Sequence, residues 1–154
     1  MTYRQQPIEA KMTKSILRWG LIAILILVSP LVCIEVLTYL TTNVEFSVIN
    51  AFQAKSNIAL AIIIVTTNLT SAMITALITA LPSGYLARKQ ARIIAILFVV
   101  SIECFPVYTF FQMPPFKAFN MSVLLGQFIA VVFSVFIFAE MGRRLAAKKQ
   151  DMAG

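Results

Sequence analysis

With 154 residues, of which 60% are hydrophobic and only 12% charged, the chain is too apolar for a water-soluble domain, where about a quarter of residues carry charge. Its net charge of +7 comes from basic residues that flank apolar runs, with no zinc-finger spacing, no base-stacking motif and no separate basic domain. Nucleic acid is therefore excluded as a partner and the lipid bilayer is expected instead. Histidine is absent, and Cys33 and Cys104 have no CxxC spacing, so no metal site, redox motif or cofactor is expected.

Residues 1–18 form a basic segment carrying Arg4, Lys11, Lys14 and Arg18. The apolar run that follows, Trp19 to Leu40, is too long for the core of a cleaved signal peptide and lacks a small-x-small cleavage site, so it reads as a retained first membrane span. It holds Pro30 and, in its outer half, Glu35. In the next connection, Thr41 to Ser56, Val44, Val48, Ala51 and Phe52 recur at helical spacing, opposite Asn50 and Gln53. Phe46 and Glu45 break that pattern. An irregular loop is the favoured reading, and a short helix lying in the outer interface is the alternative.

The second run, Ile58 to Leu81, carries Thr67, Ser71, Thr75 and Thr79 at steps of four, with Asn68, Ala72, Ala76 and Ala80 as the adjacent row. Such small and hydroxylated rows let helix backbones approach closely. Their hydroxyls bond across the contact or back to their own helix, and a polar path along them is the functional alternative. The loop after it holds Arg88, Lys89 and Arg92. The segment Gly84-Tyr-Leu-Ala-Arg-Lys-Gln-Ala-Arg92 resembles the loop between the second and third helices of major facilitator transporters, of form G-x-L-A-D-R-x-G-R, at Gly84, Leu86, Ala87 and Arg92. It departs at Arg88 and Ala91, covers nine residues, and lies in a chain far shorter than that twelve-helix fold, so the family is not assigned.

The third run, Ile93 to Phe111, has Glu103 near its middle, with Pro106 close by. A short connection with Pro114 and Pro115, suited to a stiff turn, leads to the fourth run, Met121 to Ala139. Ser122, Gly126, Ala130 and Ser134 form a second small-residue packing row there. Residues 142–154 are a basic tail with Arg143, Arg144, Lys148 and Lys149. Glu140 precedes two of these by three and four residues, the spacing of a helix-surface ion pair.

The fold expected is therefore an all-α membrane protein: four transmembrane helices within residues 19–141, each about the 20 residues that a hydrocarbon core requires. Long continuous runs exclude a barrel of short alternating strands. Eleven of the thirteen basic residues fall before the first run, between the second and third, and after the fourth; only Lys55 and Lys117 lie in the other two connections. The positive-inside rule then places both termini in the cytoplasm, with Arg88, Lys89, Arg92, Arg143 and Arg144 at the lipid headgroups.

LIAILILVS at Leu21–Ser29 and IIAILFVVS at Ile93–Ser101 share six of nine residues, and both the second and fourth runs exit through a Gly followed by basic residues. Two tandem two-helix hairpins, entering the membrane in the same direction, would explain both likenesses.

Glu35 and Glu103 have no Lys or Arg at their depth. A bare charge there costs about 3 kcal/mol or more, so each must be protonated, hydrogen-bonded or wet, and both are candidate proton or ligand sites. The repeat alignment sets Glu103 opposite position 31, one turn from Glu35 and on the same face. With no nucleophile–base pair and no phosphate loop, no catalytic residue and no enzymatic activity are expected. The expected role is a non-enzymatic subunit of the cytoplasmic (inner) membrane, acting by helix packing as a homo-oligomer or within a larger membrane complex. The alternatives are a small oligomeric proton-coupled transporter using Glu103, and an immunity-type membrane protein that blocks a pore-forming toxin.

Overall fold

The computed structural model describes residues 8–45, 57–112 and 118–152. They are helical nearly throughout and contain no strand. Helix α1 is Ile8–Leu40, drawn out by a π-helical turn at Thr41–Glu45. Helix α2 is Asn57–Ala87, α3 is Ala91–Gln112 and α4 is Ala118–Asp151. Between α2 and α3 stands a single 3-10 turn, Arg88–Gln90, where Arg88 takes φ +52 and reverses the chain. Most of the outer connection, with Val48, Ala51 and Phe52, lies outside the described residues, as do Pro114 and Pro115, so both readings of that connection stand as they were.

Three stretches are long and apolar enough to cross a membrane: Met12–Asn43, Ile62–Tyr108 and Leu124–Asp151. The middle one contains two helices, α2 and α3, divided by the Arg88 turn. The helices overrun the apolar runs at their basic ends. α1 begins at Ile8 inside the basic segment, and α4 continues through Arg143, Arg144 and Lys149 to Asp151. Hydropathy marks where lipid lies and does not mark where a helix stops: Ala, Leu, Lys, Arg and Gln in the tail are all good helix formers.

Proline in a helix interior removes one N–H and strands the carbonyl four residues earlier. In α1 that proline is Pro30 and the stranded acceptor is the Ile26 carbonyl. Two serines take it over: Ser29 Oγ donates at 2.8 Å and Ser101 Oγ, from α3, at 3.0 Å. In lipid no water would satisfy that oxygen, so the two hydroxyls both repair the kink and tie α1 to α3. Replacing both serines by alanine is expected to lower unfolding stability in detergent by about 1–3 kcal/mol, the cost of an orphaned buried acceptor. Either single change should cost less, because the other hydroxyl remains.

Two features set the direction of the helices. Gly126 of α4 stands beside Val65 of α2, and Gly142 beside Leu81, Gly84 and Tyr85, so α2 and α4 run parallel and touch along most of their length. Ile26 of α1 is level with Ser101 of α3, while Ile34 and Leu37 share a crevice with Pro106, so α1 and α3 also run alongside each other. The end of α2, the start of α3 and the end of α4 therefore meet at one pole of the bundle, which gathers Arg88, Lys89, Arg92, Arg143, Arg144, Lys148 and Lys149.

The α2–α4 seam is the tightest contact. A Cβ built on Gly84 would fall 2.1 Å from the Ala139 carbonyl oxygen, and one built on Gly142 would fall 2.1 Å from that of Leu81. The relation is reciprocal: each glycine meets the carbonyl three residues before the other. Buried Ala72, Ala76, Ala80 and Ser83 on α2, and Ala130, Ser134, Val135 and Ala139 on α4, continue it. Large apolar side chains such as Leu27, Leu31, Ile93, Val100, Ile129 and Phe133 point outward instead. Small groups at the contact and bulky ones at the surface are the arrangement of a bundle packed in lipid.

Candidate functional site

The described parts of the small-residue rows on the second and fourth runs are largely turned into the interior of the bundle. On α2, Thr67, Ser71, Ala72, Thr75, Ala76 and Thr79 are all buried, and Asn68 sits at the edge of burial. Their hydroxyls do not form a continuous path. Thr67 donates to the Ile63 carbonyl at 2.9 Å, Thr79 to Thr75 at 2.7 Å and Ser83 to Thr79 at 2.8 Å, all within their own helix. Ser71 alone reaches across, donating to the Cys33 carbonyl of α1 at 3.3 Å. On α4, Ala130 and Ser134 are buried and Gly126 is half-buried, whereas the side chain of Ser122 lies outside the described residues.

Glu103 is placed in the interior by α3, whose inward face also carries Phe98, Val99 and Ile102. It is only 3% exposed, and neither carboxyl oxygen has a hydrogen-bond partner among the described residues. Two further buried oxygens, Thr75 Oγ1 and Ser134 Oγ, are likewise without a partner. The buried Cys33 of α1 lies next to Ser71 and Thr75 and near Glu103. Glu103 lies twelve residues into α3, about 18 Å from the basic pole, and Thr75 lies twelve residues before the end of α2. The α2–α4 register brings Ser134 to the depth of Thr75. A carboxyl, a thiol and several hydroxyls from all four helices thus occupy one level near the middle of the bundle.

A crevice of about 210 Å³ opens on the side of this level remote from the basic pole. Pro30, Cys33, Ile34, Ile102, Pro106 and Gln127 line it. The two helix-weakening prolines, noted in the sequence for their nearness to an acid, face the same cavity. Gln127 was not singled out by sequence reasoning. It interrupts no motif, and only its position opposite Cys33 and Ile102 gives it interest.

Glu35 does not join Glu103. It is exposed on α1, and so is Leu31, the residue that the repeat alignment sets against Glu103. Leu31 and Glu35 thus share an outward face, but Glu103, aligned with Leu31, does not face the same way. α1 lies at the edge of the bundle and turns that face outward, whereas α3, wedged between α1, α2 and α4, turns it inward. Among the described residues no group of three potential metal ligands comes together.

Of the basic-pole residues, Arg143 pairs with Glu140 through Nε at 2.7 Å and again through Nη2, and Arg144 reaches the same carboxylate through Nε at 3.1 Å. This is the ion pair that the helical spacing suggested. Arg88, Lys89 and Arg92 are exposed beside it.

The chain matches no known family, and neither curated proteins nor solved structures show a significant likeness to it.

Proposed function

We propose that this chain is an integral protein of the cytoplasmic membrane, crossing it four times with both termini on the cytoplasmic side, and that it works as a small proton-coupled carrier with Glu103 as its proton site. One observation carries the reading: an acid that is almost wholly buried, without cation or hydrogen-bond donor among the described residues, beside a cavity lined by the two prolines that weaken its helix and the neighbouring one. A carboxyl kept at such cost is a functional group by default. The proline-weakened helices supply a place where the neighbouring cavity opens toward it.

The wider architecture fits the same reading. Seven basic side chains at one pole agree with a cytoplasmic face under the positive-inside rule. The reciprocal Gly84–Gly142 contact is what two hairpins related by a twofold axis along the membrane normal would make. Among the described residues, most of both small-residue rows is buried within the chain, which supports a role other than self-association through them. Ser71, Thr75 and Ser134 line the proton site in this reading, while Glu35 at the outer edge takes no part.

The test is proton movement in proteoliposomes under an imposed pH gradient, read by a trapped pH-sensitive dye. Wild-type protein is expected to dissipate the gradient faster than empty liposomes. Glu103→Gln should lose about a hundredfold or more, the contribution of a proton-transfer group, and Glu35→Gln should retain the wild-type rate. Unchanged flux in Glu103→Gln, or none in the wild type, overturns the assignment.

A further inference from the structure

A second cavity, at the basic pole, is unrelated to Glu103. Its volume is about 480 Å³, and it lies between the start of α3 and the last turns of α4. Its walls are apolar: Ala95 on one side, with Val132, Phe133, Phe136 and Ile137 on the other. Its mouth is cationic, formed by Arg92 and Arg144, with Glu140 between them.

The charges at that mouth are not balanced. Glu140 is engaged by Arg143 through two nitrogens, and Arg144 gives it only Nε. Among the described residues, the two terminal nitrogens of Arg144 carry no hydrogen bond, and Arg92 makes no ion pair or hydrogen bond. Both guanidinium groups are exposed and border the same opening. Glu140, neutralised from the far side, does not repel an anion placed between them.

The geometry points to this groove as a binding site for an anionic phospholipid, with its phosphate between Arg92 and Arg144 and one acyl chain along Val132, Phe133, Phe136 and Ile137. Three features favour a lipid over a soluble anion or a protein segment. The charge is confined to one end of the groove, while the rest is hydrocarbon, the polarity of a lipid molecule. From Val132 to Arg144 the helix rises about 18 Å, close to one leaflet of a core about 30 Å thick. The phenylalanines on its wall are outward-facing residues of a bundle surface, Phe133 being 64% exposed, so the groove opens sideways to the bilayer. Guanidinium groups match phosphate by paired parallel hydrogen bonds, and basic clefts between helices on the cytoplasmic side suit such headgroups.

This inference rests on the chain lying in a membrane and not on Glu103. A tryptophan probe tests it. In a Trp19→Phe background, Phe133→Trp places the single tryptophan on the groove wall. The protein is reconstituted in phosphatidylcholine with a minor fraction of acyl-brominated phosphatidylglycerol, or with the same fraction of brominated phosphatidylcholine, and quenching is compared. The anionic lipid is expected to associate roughly thirtyfold more strongly, as two basic contacts near the membrane surface would give. Arg92→Gln with Arg144→Gln should abolish the preference. Lys148→Gln with Lys149→Gln, the same loss of charge outside the groove, should preserve it, and so should Glu103→Gln.

Equal quenching by the two lipids in the otherwise unaltered probe protein overturns the site without reference to any charge variant. Equal loss in both charge variants assigns the preference to general attraction by the basic pole and also overturns it. Competition by inorganic phosphate would assign the arginines to a soluble anion instead. A carrier assay that fails while the lipid preference holds would remove the Glu103 reading and leave this one standing.

Discussion

Gly142→Ala is expected to lower the unfolding stability of the purified protein by about 3 kcal/mol, a large effect for a single methyl group. The added Cβ would stand 2.1 Å from the Leu81 carbonyl oxygen and 2.7 Å from the Tyr85 amide nitrogen. Both are backbone atoms of α2, so no side chain can swing aside and the helices themselves must separate by about 1 Å. Dispersion contacts weaken steeply over such a gap, and the loss runs along the whole seam, through Ala80, Ala76, Ser134 and Ala130. Gly84→Ala should behave alike, because its Cβ meets the Ala139 carbonyl at the same distance. The double change should cost less than the sum, since one separation makes room for both methyl groups. Gly20→Ala is the control: nothing lies within 4 Å of its Cβ, and alanine is the better helix former by about 1 kcal/mol, so that variant should match or exceed the parent. Loss of the monodisperse species on heating in mild detergent measures all four. A Gly142→Ala protein as stable as wild type would show that α2 and α4 do not meet in this way.

Glu103→Met is expected to act in the opposite direction, raising stability by about 1–3 kcal/mol while abolishing proton movement. Neither Glu103 oxygen has a partner, and a buried polar group left without one costs about that much. Methionine has a similar unbranched outline and adapts to irregular space beside Ile102 and Phe98. Gain of stability with loss of activity is the signature of a residue retained for function against the interest of the fold. The same heating assay reads the first effect and the proteoliposome assay the second. Were Glu103→Met less stable than the parent, the carboxyl would be a structural group, and the proton-site reading would lose its main support.

The two experiments probe different levels of one design. The α2–α4 seam holds the bundle together at its basic pole, and the polar level formed by Cys33, Ser71, Thr75, Glu103 and Ser134 lies about three turns away, where α1 and α3 are weakened by Pro30 and Pro106.

What the sequence determined by itself was local. Continuous apolar runs in Ile62–Leu81 or Ile93–Ser101 leave the backbone no partner but its own helix, and the basic clusters beside them mark one pole; neither inference needs knowledge of how the helices meet. Glu140 and Arg143 could be paired on paper for the same reason, being three residues apart on one helix. Only the tertiary structure decided which way each helix is turned about its axis. It set Glu103 inside and Glu35 outside, although an alignment of α1 with α3 placed them on a common face, and it buried both Thr75 and Ser134. Gln127, Arg92 and Phe133 gained meaning only once neighbouring helices stood opposite them. The physical reason is that helix formation is satisfied within a few residues, whereas helix rotation is chosen by close contacts such as Gly84 on Ala139, between atoms more than fifty residues apart.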